Sequence, residues 1–298
     1  MGEGKVKLVA IVGPTAVGKT ELSLRLALAV GGEIISADSR QIYRCMDIGT
    51  AKPSREARAT VPHHLIDVVD PDRELTLAGY KRLATRAIEE TWARGHLPIL
   101  TGGTGLYVRA VLEGWDVPEV PPDRGFRQEM LEIAQRSGHK TLHARLAAVD
   151  PQAARKIDPR NVRRVIRALE VYQATGRPIS ALQTKHPPDY ALLKIGLTRP
   201  RQALYARIDR RIDEMLERGL VLEVRSLLDK GYDRELPAMS ALGYRQIIQY
   251  LDGQITLGEA IARIKRETRR FVRQQYNWFR PSDASIHWLD VDVLDDAA

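Results

Sequence analysis

Residues 13–20 read Gly-Pro-Thr-Ala-Val-Gly-Lys-Thr, a glycine, four open positions and then Gly-Lys-Thr. With a strand before it and a helix after it, that spacing makes a phosphate-binding loop. Gly13, Pro14, Thr15, Ala16, Val17 and Gly18 would wrap the phosphates, all but Pro14 with a backbone N–H to turn onto phosphate oxygens, at a helix N-terminus whose dipole favours negative charge. Lys19 adds a point charge, and the Thr20 hydroxyl is a ligand for Mg²⁺ carried by the same phosphates. The pattern calls for a di- or triphosphate without saying which.

Other chemistry-bearing residues follow. Asp38, in Ala37-Asp-Ser-Arg-Gln-Ile-Tyr43, lies just past an apolar run; it is either a carboxylate at the ligand edge of a parallel sheet or a helix N-cap. Leu65-Ile-Asp67 and Val68-Val-Asp70 are candidate strand-end acids of the kind that bind Mg²⁺ in kinases. Thr101-Gly-Gly-Thr-Gly-Leu-Tyr107 is a second glycine-rich turn. An Asn-Lys-x-Asp tetrapeptide is absent, which argues against a GTPase. His63 and His64 stand beside a proline with no cysteine near, so the pair reads as structural.

The positioning elements alternate. Val6–Val12, Glu33–Ala37 and Leu97–Leu100 read as strands, with helices predicted over Lys19–Val30 and Thr76–Arg94. Prolines 118, 121 and 122 mark a linker, after which Asp123, Asp150-Pro151 and Asp158-Pro159 look like helix starts and Gly176 like a helix stop. Leu192–Leu197 returns to a strand. Helices broken at Gly219, Gly231 and Gly253 follow, then a strand over Ile286–Leu289 and a mobile acidic tail. The expected fold is α/β, a P-loop NTPase-like parallel sheet flanked by helices, with a helical insertion domain. Its parts are 1–117, the first part of the core; 118–189, the insertion; and 190–298, the rest of the core with the C-terminal helices.

The chain has 298 residues, a formal net charge of +8 and a pI near 9.6, a balance that fits a polyanionic partner. Of its 46 basic residues 35 are Arg, the side chain better suited to gripping phosphate and stacking on bases, although an arginine-rich genome gives the same bias. One cysteine, Cys45, excludes an internal disulfide and a multi-cysteine zinc site. No apolar run approaches a membrane span, and no cleavable leader is evident, so the expected location is cytoplasmic with no membrane partner. Arg263, Arg266, Arg270 and Arg273 recur at helical spacing, on a face apart from Leu257, Ile261, Ile264, Phe271 and Trp278. In the insertion, Arg163, Arg164 and Arg167 lie off a stripe of Val162, Val165, Ile166 and Leu169. Such stripes are either solvated faces or a track for a nucleic-acid backbone.

Taken together, these segments resemble the tRNA dimethylallyltransferase (tRNA isopentenyltransferase) family. The resemblance runs through Gly13–Thr20, Asp38–Tyr43, Asp47-Ile-Gly-Thr-Ala-Lys-Pro53, Pro62-His-His-Leu-Ile-Asp67, Gly102–Tyr107 and Arg167-Ala-Leu-Glu170. It continues through Gly243-Tyr-Arg-Gln246 and Arg273-Gln-Gln-Tyr-Asn-Trp-Phe-Arg280, covering nearly the whole chain. With Cys45 alone the chain lacks the zinc finger frequent in eukaryotic members, so it looks like the bacterial type.

The resemblance implies transfer of the five-carbon group of dimethylallyl diphosphate to N6 of the adenosine 3′ of the anticodon, releasing diphosphate. It implies Asp38 as general base, Thr104 beside the reacting groups, and Lys19 and Arg225 on the diphosphate cradled by Gly13–Thr20. It places Asp38, Ser39, Arg40, Gln41 and Thr104 at the target adenosine, and Arg127 and Arg163, Arg164, Val165, Ile166 and Arg167 at tRNA. Mg²⁺ is the expected cofactor, the anticodon stem-loop the expected partner and a monomer the expected state. A prenyltransferase for free adenylate and a P-loop nucleoside or small-molecule kinase are the alternatives.

Overall fold

The computed structural model describes residues 4–292; the acidic tail expected to be mobile falls outside them. Contacts divide the chain into two compact units: Met1–Val111 with Asp189–Ala298, and Leu112–Pro188.

In the first unit the chain alternates strand and helix. β1 (Lys7–Val12) leads to α1 (Lys19–Val30), β2 (Gly32–Ser36), α2 (Arg55–Thr60), the two-residue β3 (His63–His64), α3 (Leu77–Ala93), β4 (Leu97–Gly102) and α4 (Gly105–Leu112). The second unit is all helix: α5 (Arg124–Ser137), α6 (His139–Val149), α7 (Pro151–Lys156), α8 (Val162–Thr175) and α9 (Ile179–Leu182). The first unit then resumes with β5 (Ala191–Thr198), α10 (Arg201–Glu217), α11 (Leu220–Asp229), α12 (Tyr244–Leu251), α13 (Leu257–Tyr276) and β6 (His287–Asp290).

The six strands form one parallel sheet in the order β3-β2-β4-β1-β5-β6. β1 is buried except at Lys7 and β2 along its whole length, as strands covered on both faces must be. Insertion of β4 between β1 and β2 brings the loops after all three strands to one edge, where open parallel sheets bind ligands. Gly102 permits that convergence: a Cβ there would lie 2.1 Å from the Ala37 carbonyl oxygen.

Local chemistry sets the helix ends. Thr76, Asp123 and Asp150 accept N-cap hydrogen bonds, Pro151 takes the first turn of α7, and Gly31 and Gly176 close α1 and α8 in the left-handed region. α8 departs from expectation. Asp158-Pro159 forms a tight turn in which Asp158 accepts from the Arg160 and Asn161 N–H groups, and Asn161 caps the helix instead. The helical unit also starts at Leu112, ahead of the proline cluster. A bridge of Trp115 with Lys185, and donation from His186 N–H to the Gly114 carbonyl, pair the two entering segments.

The run Leu65–Asp70 is not a strand ending in a metal-binding acid. Leu65 and Asp67 take left-handed φ of 63° and 56°, and only Val69 bridges to Tyr43. Asp67 accepts from the buried Lys52 ammonium and from Arg58. These partners hold its carboxyl below the usual range despite its partial burial. His64 is bound to the buried Glu33 and His63 to the Val61 carbonyl.

Candidate active site

The phosphate loop joins β1 to α1. Gly18 sits at the helix N-cap with φ 116°, a conformation that excludes a side chain, and no side chain caps the helix. The first N–H groups of α1 are therefore left for an anion. Gly13, Pro14 and Val17 are buried beneath the loop, whereas Thr15, Ala16, Gly18, Lys19 and Thr20 line the space above it. Two arginines support the loop from behind: Arg207 Nε donates to the Ala16 carbonyl and Arg199 Nε to that of Val17, each at 3.1 Å. Ala16 is held at φ 64°, a strained position for a residue with a Cβ and one that needs such bracing.

Lys19 Nζ donates to the Gly13 and Pro14 carbonyls at 3.0 and 2.7 Å. Burial and the positive Arg211 push its ammonium down to about 7, against a smaller opposing pull from Asp38. Arg211, on α10, lines the same cleft as Lys19. Two cations thus face each other where the loop aims its N–H groups. The arrangement is electrostatically poor for the protein alone and suited to a polyanion between them.

Asp38 follows β2. Its Oδ1 accepts from the Arg40 N–H at 2.8 Å and the Gln41 N–H at 3.4 Å, so the carboxylate caps a turn, and no helix follows. Oδ2 has no partner among the described residues. Thr104, after β4, meets this turn: its Oγ1 accepts from the Ser39 N–H at 3.0 Å and donates to Ser39 Oγ at 3.3 Å. Tyr80 and Tyr107 stack beneath at 3.7 Å between centroids, with burial and the nearby Asp38 raising both phenols.

A cleft of about 740 Å³ gathers Thr15, Lys19, Asp38, Ser39, Thr104 and Arg211. Two residues assigned to adenosine recognition are committed to the protein. Arg40 donates to the Pro237 carbonyl and Ser240 Oγ. Gln41 accepts from Ser36 Oγ and donates to the Thr50 and Ala51 carbonyls. Arg266, Arg270 and Arg273 of α13 line one wall and have no partner among the described residues, while Arg263 turns to Gln249. Phe271, expected on the buried face, is exposed on that wall.

Arg225 does not join the diphosphate side. It is exposed on α11 and absent from the cleft lining; its neighbour Glu223 is the useful residue. The Glu223 carboxylate accepts from the Asp47, Ile48 and Gly49 N–H groups and from Tyr244 Oη, fixing the loop at Gly49–Ala51 that borders the cleft. Arg211, which sequence reasoning passed over, lines the cleft beside Lys19 where Arg225 does not. Its signal was its phase: Arg207 and Arg211 are four apart, flanking the buried stripe Leu204, Ile208 and Ile212.

In the helical unit, Arg163 and Arg164 are exposed. Val165 and Ile166 are buried in its core, so their side chains cannot reach RNA. Arg127 and Arg167 both bind the buried Glu170, and Arg167 also donates to the Val120 and Pro118 carbonyls.

Fold and site together define a P-loop enzyme with a carboxylate and a hydroxyl facing its phosphate cradle. The IPP transferase family model matches residues 41–282, and that of isopentenyl transferase residues 6–67. A tRNA dimethylallyltransferase from Roseiflexus sp. (strain RS-1) is 55% identical over 288 residues, 94% of each chain. One from Chloroflexus aggregans is 56% identical over 274 residues, 92% of this chain and 93% of that one. The solved tRNA isopentenylpyrophosphate transferase of Bacillus halodurans superposes with a TM-score of 0.70 at 47% identity, covering 96% of this chain and 90% of its own. A eukaryotic dimethylallyltransferase acting on tRNA gives 0.81 at 29% identity, covering 97% and 75%. The chain belongs to the IPP transferase family, the tRNA dimethylallyltransferases.

Proposed function

We infer that this protein is a tRNA dimethylallyltransferase whose donor is dimethylallyl diphosphate and whose acceptor is N6 of the adenosine 3′ of the anticodon. The observation that carries the donor assignment is the convergence of Lys19, Arg211 and the uncapped start of α1 on the space that Asp38 and Thr104 face.

An exocyclic adenine amine is a weak nucleophile because its lone pair is delocalised into the ring. The loop N–H groups, Lys19 and Arg211 stabilise the charge that grows on the diphosphate as the allylic C–O bond breaks. The N6 lone pair forms the new C–N bond, and Asp38 Oδ2 accepts the proton that N6 loses. Thr104 fixes the Asp38–Ser39 turn against the β4 loop.

Among the described residues no group of three His, Cys, Asp or Glu side chains is placed to hold a metal. The exposed Thr20 hydroxyl at the cradle instead suits a hard cation that arrives with phosphates. Thr20 would hold Mg²⁺, which supplies further neutralisation of the leaving group.

The arginines of α13 give the anticodon stem-loop a phosphate track, and exposed Arg163 and Arg164 do so on the helical unit. No described helix is long and apolar enough to cross a membrane, and action on tRNA favours a cytoplasmic location.

Transfer of label from dimethylallyl diphosphate, with Mg²⁺ and without ATP, tests the reading. Label in unmodified tRNA alone is expected. Label in free AMP would make this an adenylate prenyltransferase, and phosphate transfer from ATP without prenyl transfer would make it a kinase.

A further inference from the structure

Gln275 lies in the last turn of α13 and is only 4% exposed. Its Oε1 accepts from the Thr15 N–H at 2.8 Å, and its Nε2 donates to the Gly103 carbonyl at 2.9 Å. One carboxamide therefore joins the phosphate loop after β1 to the Thr104 loop after β4. A carboxamide offers an acceptor and a donor on one planar end at any ordinary pH.

The glycines of the Thr104 loop record the same docking. A Cβ at Gly103 would stand 2.4 Å from Gln275 Nε2, and one at Gly105 would stand 2.3 Å from Trp278 Cγ. Thr104 is held between these two contacts. What reads in sequence as a tight turn is the footprint of the C-terminal end of α13. The same helix carries Arg266, Arg270 and Arg273 on the cleft wall. One of the phosphate-loop N–H groups, that of Thr15, is thereby given to the protein while the others stay with the cradle.

We propose that Gln275 is a positioning residue, setting the phosphate loop, the Thr104 loop and the arginine-bearing helix α13 in register for the transfer. The inference rests on the prenyl-transfer reading above. Its physical content is that the leaving group is held by one loop and the Asp38–Thr104 pair by another. The attack distance is therefore set by what ties the two loops together. Gln275 contributes through Thr15 and Gly103, with both ends of its amide bound to backbone.

The test uses Gln275→Met, which keeps shape and removes both hydrogen bonds, and Gly103→Ala, which pushes on the amide from the other side. With both substrates saturating, kcat should fall roughly 100-fold in Gln275→Met, the scale of an ångström-level misplacement. The tRNA dissociation constant should stay near the parent's, and the melting temperature should fall by only a few degrees, because the Thr15 N–H and the Gly103 carbonyl lose their partner. Because both changes break one contact, the double variant should be about as slow as the slower single variant, without multiplying the losses. A parent-like kcat in folded Gln275→Met, or multiplicative losses, overturns the proposal.

If Gln275→Met does not fold, Gly103→Ala carries the test: the same kcat loss with unchanged tRNA binding supports the proposal, and a full rate overturns it. Hydrogen exchange at the Thr15 amide, measured without substrate, should be slow in the parent and fast in either variant; no difference overturns the contact itself. A parent that transfers no label is a failure of the functional reading, separate from a parent and variant that transfer equally.

Discussion

α8 and α13 both carry arginines at helical spacing, and they dispose of the charge in opposite ways. In α8 the guanidinium of Arg167 turns inward, beside that of Arg127, onto the buried Glu170. Nearby arginines and the Asp123 N–H hold that carboxyl below its usual range despite burial. In α13 Arg266, Arg270 and Arg273 meet no acid among the described residues and line the cleft, while Arg269 binds Asp209 and Lys265 binds Asp213 on α10. A charge satisfied inside the protein is architecture, and one left unmatched beside a cavity is available to a ligand. Spacing alone does not separate the two; the location of one buried acid does.

Asp38 is divided between both uses, which makes it the sharpest place to break the comparison. Asp38→Asn keeps a carbonyl oxygen to accept from the Arg40 and Gln41 N–H groups but removes the base. Transfer should fall by about 10²–10⁴ while tRNA affinity holds. A near-parental rate in single-turnover assays would reduce Asp38 to a turn cap.

Next in size is Glu170→Ala, which removes the buried carboxylate that Arg127 and Arg167 both bind. Denaturant unfolding should show a loss of about 3 kcal/mol, as for breaking a buried ion pair. An unchanged midpoint would mean that Arg127 and Arg167 are not spent on Glu170.

The counterpart is Arg266→Gln, Arg270→Gln and Arg273→Gln together. Stability should be unaffected, but the salt dependence of tRNA binding should lose about 2 in log–log slope, near 0.7 per phosphate contact given up. A slope equal to the parent's would show these charges to be solvated surface.

What the sequence made legible follows the same division. The phosphate loop could be read because its chemistry sits in consecutive residues, between a strand and a helix whose ends also carry local signals. Asp38 and Thr104 could be placed at one sheet edge from topology alone. Arg211 was passed over, because its phase beside a buried stripe does not say what it faces and Lys19 is far away in sequence; the resemblance pointed instead to Arg225, beside a glutamate that serves the Asp47–Gly49 backbone. Phe271 was expected inward by residue type. The helix buries Ile264, Val272 and Gln275, while Phe271, one turn before Gln275, lines the cleft.

The smallest effect concerns Lys19, whose proton sits between the two uses. Burial and Arg211 push the ammonium down to about 7, and a diphosphate beside it would favour the charged form and raise it again. Below pH 7 the ammonium is already charged and binding takes up no proton there. Between pH 7 and the higher value in the complex, binding should take up as much as one proton, and donor affinity should weaken as pH rises through that window. Calorimetry of dimethylallyl diphosphate binding in buffers of different ionisation enthalpy reads the uptake directly, once the donor's own titration is measured in Lys19→Met. Uptake that persists unchanged in Lys19→Met would assign the proton to another group. Arg211→Gln should shrink it by relieving the charge that depresses Lys19.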